Sequence, residues 1–352
     1  MLTFFPGPSK LPDHLPALYA EALAEGLGSI SHRSAAFEAA YGHTVAQLKL
    51  KLDIPESYHV LFAGSATECW EIMTQSLVAR SALHLHSGAF GAKWYDYAKL
   101  LKLEVEGIGF NLNLDPTPLL AHLAPHHEAL CLTHNETSNG TLLPNNVLAQ
   151  ARERLGPDRL LLLDCTSSLG GVALPWQLGD VWFASVQKCL GQPAGLAVLV
   201  LSPRATARAE ALAETRHYNS LATLLHHARS NQTSYTPNVL AITVLGRHLE
   251  RSPGIAQTER DIRARAQVYY DWVARHPKLA ALVSNGTVQS PTVVAIEAKP
   301  EVLASHKAAA LAQGMRLGNG YGPWKDTSYR IANFPAYTAE DQARLLAALP
   351  AA

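Results

Sequence analysis

Charged residues are scarce in this 352-residue chain: Asp, Glu, Lys and Arg make up 16% of it, below the roughly 25% of ordinary soluble domains. Much buried surface is therefore expected, a subunit interface included. The 29 basic and 29 acidic residues cancel to a formal net charge of zero. No basic stripe or acidic tail breaks that balance, which argues against nucleic acid and membrane surfaces as partners. No apolar run reaches membrane-spanning length. The opening segment Met1–Pro8 has neither the basic start nor the apolar core of a signal peptide. The four cysteines (Cys69, Cys131, Cys165, Cys189) show no CxxC spacing and sit mostly in apolar segments, so reduced buried thiols and a cytoplasmic location are expected. Sixteen histidines are present, yet none has metal-site spacing: His84 and His86 alternate, while His126-His127 and His226-His227 are adjacent pairs. No functional metal is expected.

What the chain does contain is alternation. Strand-like apolar runs occur at His59–Ala63, Ala82–His86, Leu103–Gly107, Ala129–Thr133, Leu160–Asp164, Val181–Ala184 and Ala197–Leu201. Helical periodicity separates several of them, as at Thr67–Ala79 and Gly91–Leu101. This pattern predicts an α/β domain with a large, mainly parallel seven-stranded sheet, buried on both faces. Ala197–Leu201 follows its predecessor after a short Gly/Pro link, so it reads as antiparallel. Beyond it the pattern changes. A long helix at Ala256–Arg275 leads to a strand at Thr292–Ile296, a helix at Pro300–Gln313, a strand at Ser328–Phe334 and a helix at Ala339–Leu349. The expected organisation is a large domain over 10–245 and a smaller α+β domain over 246–352, joined by residues 1–9.

Two of the buried strands lead into ionisable residues. Leu160–Leu163 closes in Asp164, and the run from Val181 leads to Lys188 before Gly191, Pro193 and Gly195 break the chain. A lysine and an acid at the ends of separate core strands suit pyridoxal phosphate (PLP), which needs a Schiff-base amine and a partner for its pyridinium nitrogen. Gly64-Ser65-Ala66-Thr67-Glu68 is a small-residue turn into a helix, where backbone N–H groups favour an anion. It is not a Walker loop, since no GK[ST] follows. His134–Gly140 puts a polar cluster after the strand ending at Thr133, on the ligand side of an open α/β sheet. There Asn135 and Thr137 are placed to hydrogen-bond a ring oxygen. Ser87-Gly88-Ala89-Phe90 places an aromatic after the strand ending at His86, suited to stack on a flat ring.

In these motifs the chain resembles the phosphoserine aminotransferases, class V, fold-type-I PLP enzymes. The resemblance rests on FFPGPSKLP near the start, SHRS at Ser31–Ser34, GSATE, HNETSNG, the Asp164 strand, VQK at Val186–Lys188, NQTSYTPN at Asn231–Asn238 and YRIANFP at Tyr329–Pro335. It implies a ping-pong transamination between O-phosphoserine and 2-oxoglutarate, in serine biosynthesis, through a Lys188 Schiff base. By the same resemblance Asp164 pairs with the pyridinium nitrogen, Phe90 stacks on the ring and Thr137 contacts its oxygen. The cofactor phosphate lies against Ser65, Ala66, Thr67 and Gln187, with Thr236 reaching it from the partner subunit of a homodimer. Arg330 holds the substrate α-carboxylate, and His32 and Arg33 of the partner face its phosphate or distal carboxylate.

The chain departs from that family in places. The Gly64–Thr67 turn has no arginine where better-known members carry a basic residue, and Tyr235 stands where the family has Asn. The loop Asn319–Lys325 lacks the family's histidine; Lys325 and Tyr321 are the expected replacements. These departures keep a rival open: another class V aminotransferase acting on serine, alanine or glyoxylate-type substrates. A cysteine desulfurase needs a Cys in the C-terminal third, and all four cysteines precede residue 190. A non-catalytic PLP-binding protein has no need of Lys188, Asp164 and Arg330 together.

Overall fold

The computed structural model describes residues 1–101 and 103–350; the last two residues of the expected 246–352 segment lie outside the described residues. In chain order the strands are β1 (Leu2–Phe4), β2 (His59–Ala63), β3 (Ser81–His86), β4 (Glu104–Gly109), β5 (Ala129–Thr133), β6 (Asn135–Glu136), β7 (Thr141–Leu142), β8 (Leu160–Asp164), β9 (Val181–Ser185), β10 (Ala197–Leu201), β11 (Leu279–Ala281), β12 (Val293–Ala298), β13 (Met315–Asn319) and β14 (Ser328–Ala332). Seven of them form one sheet in the order β2-β10-β9-β8-β5-β3-β4. All its pairings are parallel except those of β10, which runs antiparallel to both neighbours.

The unbroken apolar runs have a simple physical cause. Side chains alternate across a strand, so a strand covered on both sides must be apolar at every position. In β8, Leu161 and Leu163 join the core on one face, while Leu160 and Leu162 join the core on the other. β10 divides the same way, Val198 and Val200 against Ala197, Leu199 and Leu201. Where a run ends in a polar residue, the strand has reached the edge of the buried layer. The parallel pairings put Thr133 beside Asp164, and Asp164 beside Phe183, at that edge.

Chain order reverses between β3 and β5: one connection from β3 leads outward to β4, and the next returns to the far side of β3. Such a reversal opens a crevice at the carboxyl ends of the strands. The motifs after β3 and β5 border it.

A second sheet, ordered β1-β13-β14-β12-β11, has its own core of Tyr269, Val293, Ile296, Met315, Ile331 and Phe334, among others. β1 pairs in parallel with β13, so the first residues of the chain belong to the C-terminal sheet. No helix among the described residues is long and apolar enough to cross a membrane.

Four histidines are buried neutral in this framework. Burial lowers His84 to about 3 and His134, His248 and His306 to about 4; nearby cationic or imidazole groups push the same way. In the unfolded chain each returns to about 6.5. Below that pH the unfolded state takes up protons that the native state refuses. Stability is therefore full above about pH 6.5 and is lost as pH falls toward about 4, by up to about 1.4 kcal/mol per pH unit for each histidine. Denaturant midpoints at pH 7.5 and 5.0 should show this fall. His84→Phe should flatten it, because neither ring nitrogen of His84 has a hydrogen-bond partner to lose; an equally steep fall in that variant would remove His84 from the account.

Candidate active site

A cavity of about 210 Å³ opens in the crevice, lined by Ala66, Thr67, Trp70, Phe90, Thr133, Asn135, Thr137, Asp164, Thr166, Ser185, Gln187, Lys188, Tyr321 and Arg330, with Pro6 and Gly7. A larger cleft of about 300 Å³ lies behind the Lys188 turn, against Cys189, Gly191 and His248. It contains neither Lys188 nor Asp164, so the smaller cavity is where the chemistry can occur.

Lys188 is carried past the end of β9 and is only 7% exposed. Its Nζ donates to Thr137 Oγ1 at 2.7 Å and to Ser167 Oγ at 3.1 Å, and it stands 5.4 Å from the Phe90 ring centroid. Burial lowers its pKa to about 8, against the opposing pull of Asp164 and Glu136. A useful neutral fraction therefore exists near neutral pH. Gly7 makes room for its stem: a Cβ at that position would come within 2.9 Å of Lys188 Cε, and its φ of +127° suits glycine.

Asp164 ends β8 and is 3% exposed. Its Oδ2 accepts from Trp70 Nε1 at 3.0 Å and its Oδ1 from the Thr166 N–H at 2.9 Å. Burial still raises its pKa, although the bonds from Thr166 and Trp70 and the charge of Lys188 act the other way. The carboxylate is thus pre-oriented and lacks a close cation. A protonated ring nitrogen is the kind of partner that would favour its charged form.

Phe90 stands in the first turn of the helix Ala89–Leu100. The Glu136 carboxylate accepts from the Gly91 and Phe90 N–H groups at 3.1 and 3.4 Å, placing a negative group at the helix's positive end. That approach requires Gly88, where a Cβ would lie 2.4 Å from Glu136 Cγ.

Arg330, on β14, is 7% exposed, and burial lowers its pKa to about 10. Its Nε donates to Asn319 O at 2.8 Å and its Nη1 to Thr137 O at 2.7 Å. Its guanidinium lies 5.4 Å from the Tyr321 ring, which stacks on Phe90 at 5.1 Å. Two bonds fix the fork and leave further N–H groups for a carboxylate.

Of the residues expected from sequence, Ala66, Thr67, Phe90, Asn135, Thr137, Asp164, Gln187, Lys188, Tyr321 and Arg330 gather at the cavity. Ser65 is instead the N-cap of the helix Ala66–Leu77, its side chain accepting from the Glu68 N–H. Asn135 is partly committed elsewhere: its amide donates to Ser167 O at 2.8 Å and to Thr292, while its Oδ1 has no partner. Within one protomer His32, Arg33 and Thr236 lie off the cavity; Arg33 donates to Gln232 Oε1 at 2.6 Å. Lys325 is a correction. The short turn Gly322–Trp324 keeps Tyr321 on the cavity but leaves Lys325 exposed outside it. Trp70, Ser167, Glu136 and Gly7 were not anticipated. A tryptophan in a buried helix needs a partner for its N–H, which is the one signal by which Trp70 could have been found.

The cavity fits PLP. An acid at its floor suits a ring nitrogen, and Lys188 faces the same space. The helix start at Ala66–Thr67 suits a phosphate. Among the described residues, the buried oxygens Asn135 Oδ1, Gln187 Oε1, Thr133 Oγ1 and Thr166 Oγ1 have no hydrogen-bond partner, as expected where a polar group is to be held.

Together, the seven-stranded sheet, the smaller C-terminal sheet and this site define a fold-type-I PLP-dependent aminotransferase. The family profile described as aminotransferase class-V matches residues 6–316, and the chain belongs to that family, which uses PLP. A phosphoserine aminotransferase structure from Cytophaga hutchinsonii superposes with a TM-score of 0.92 at 32% identity, covering 99% of this chain and 98% of that one. The phosphoserine aminotransferase of Corynebacterium glutamicum (strain R) is 27% identical over 358 residues, covering 97% of this chain and 92% of that protein. An aspartate aminotransferase of subgroup IV from Thermus thermophilus shares the fold, with a TM-score of 0.86 at 24% identity over 99% of this chain and 97% of that one.

Proposed function

We propose that this protein transfers an amino group between O-phosphoserine and 2-oxoglutarate, in the direction of serine biosynthesis and by two half-reactions in turn. The observation that carries the chemistry is the pairing of Lys188, its pKa lowered to about 8 by burial, with a buried Asp164 across one small cavity. Full-length similarity to proteins named phosphoserine aminotransferase supports the choice of substrate.

PLP, when bound, supplies the electron sink that makes the substrate Cα–H acidic. The protein does the rest. Asp164 would favour a proton on the ring nitrogen of the bound group. Lys188 would hold the cofactor, and its amine would move a proton on and off the substrate Cα as general base and acid. Thr137 and Ser167, which hold its Nζ, set the direction from which it acts. Arg330 binds the α-carboxylate with the N–H groups that Asn319 and Thr137 leave free. Phe90 fixes the plane of the ring by stacking. The active sites lie at the interface of a homodimer, where Thr236, His32 and Arg33 come from the second copy.

A second reading has an observation in its favour. Among the described residues, Arg330 is the only cationic side chain besides Lys188 that lines the cavity of one protomer, so an amino acid with a single carboxylate needs nothing more. That is the class V aminotransferase for serine, alanine or glyoxylate-type substrates. One experiment separates the two. O-phosphoserine is added, without a keto acid, to the PLP-loaded protein, and the visible band of the bound cofactor is followed. Bleaching by phosphoserine is expected. A band that persists with phosphoserine and bleaches with alanine or serine gives the second reading instead.

A further inference from the structure

The proposed substrates share a feature that Arg330 alone does not satisfy. O-phosphoserine, glutamate and 2-oxoglutarate each carry an α-carboxylate and a second anionic group at the far end. The turn Gly64–Thr67 provides no cation, Lys325 does not line the cavity, and the expected His32 and Arg33 come only from a second copy.

The structure supplies one from another element. Lys93 lies on the helix Ala89–Leu100, one turn after Phe90, and therefore on the same face. Its Nζ donates to Tyr321 Oη at 2.7 Å and stands 5.1 Å from the Tyr321 ring centroid and 5.6 Å from that of Phe90. Lysine side chains on an exposed helix face are ordinarily mobile, and holding one costs rotamer entropy. Here a hydrogen bond and two cavity-lining rings hold an otherwise exposed ammonium. No carboxylate of its own helix competes for it, since Asp96, the only acid there, pairs with Lys99 at 3.4 Å.

Tyr321 thus has two cations about 5 Å from its ring, the Lys93 ammonium and the Arg330 guanidinium. Both rings that Lys93 approaches line the cavity. Lys93 Nζ and Lys188 Nζ are each within 6 Å of the Phe90 centroid, so the two amines lie at most about 11 Å apart. Lys188 and Arg330, which take the amino and carboxylate ends of the substrate in the transamination reading, and Lys93 thus each lie within 6 Å of the Phe90 or the Tyr321 ring.

We propose that Lys93, held by Tyr321, is a specificity-determining cation within the protomer, acting beside the partner's His32 and Arg33, that selects substrates bearing a second anion, phosphate or carboxylate, opposite the α-carboxylate. This rests on the transamination reading above. On binding, the Lys93–Tyr321 hydrogen bond opens and the ammonium turns to the substrate's distal oxygens. The tyrosine hydroxyl is then free to donate to the same group.

The test compares half-reaction kcat/KM values in two matched pairs, glutamate against alanine and O-phosphoserine against serine, for the PLP-loaded wild type, Lys93→Met and Lys93→Arg. Methionine keeps the stem and removes the charge; arginine keeps the charge. The preference for the dianionic member is expected to fall at least ten-fold in Lys93→Met and to stay within about three-fold of wild type in Lys93→Arg. A fall in only one pair identifies phosphate or carboxylate as the group read and still supports the proposal. Preferences unchanged in both pairs of Lys93→Met overturn it. A wild type active on glutamate but not on phosphoserine ends the phosphoserine reading alone, and the glutamate–alanine pair still tests Lys93. Activity on neither dianion ends both.

Discussion

Lys188→Ala is expected to slow the half-reaction with glutamate or phosphoserine by on the order of 10⁴-fold, the upper end of what a positioned general acid/base contributes. The variant removes the amine that lines the cavity, together with its bonds to Thr137 and Ser167. Single-turnover rates, followed by the absorbance of the bound cofactor, measure the loss. A small exogenous amine such as methylamine should restore part of the rate, since the space left by the lysine stem opens onto Gly7 and Phe90. Thermal melting should change little. Burial already disfavours the charged lysine, so little favourable energy is lost with it. A rate within ten-fold of wild type would remove Lys188 from the centre of the mechanism.

The second large effect is expected at Asp164. Asp164→Asn keeps the shape and one acceptor oxygen but loses the charge that favours a protonated ring nitrogen. A loss of about 10²–10³-fold in the half-reaction rate is expected, the range seen when one oriented electrostatic group is removed from a site. Asp164→Ala should be worse for folding as well as for rate. It leaves the Trp70 and Thr166 N–H groups buried without acceptors, at about 1–3 kcal/mol each. Trp70→Phe, which removes only one donor to the carboxylate, should cost roughly ten-fold or less. If Asp164→Asn kept more than a tenth of the wild-type rate, the ring-nitrogen role would have to pass to another group.

Much of this was legible in the residues, for reasons particular to each place. The bounds of β2, β5, β8 and β10 coincide with their apolar runs, because both faces of the central sheet are covered and a strand must turn polar where cover ends. Asp164 stood out for the same reason. Other elements were silent. β11 is a three-residue edge strand, half-buried at most, and β13 carries Arg316 and Gly318 within a five-residue span, so neither has a pattern to read. Within the site, the polar residues closing strands could be named in advance, but their partners could not. Trp70 meets Asp164 across 94 residues, and Lys93 meets Tyr321 across 228. Lys325 shows the opposite failure. It lies four residues from Tyr321 in sequence, and after the single turn Gly322–Trp324 it is exposed while Tyr321 lines the cavity.

The pairing of β1 with β13 has a consequence for how the protein is made. Leu2–Phe4 leaves the ribosome about 310 residues ahead of its partner Met315–Leu317. At roughly 5–20 residues per second the gap is some 15–60 s. Over that interval Pro6 and Gly7, which border Lys188, are tethered to a strand without a neighbour, and the Ser9 N–H bond to Gln187 O has no anchored segment to hold it. The central sheet can be complete while its catalytic wall is not. Nascent chains arrested before β13 should therefore be compact and unable to hold the cofactor, and competence should arrive only once β13 has been made.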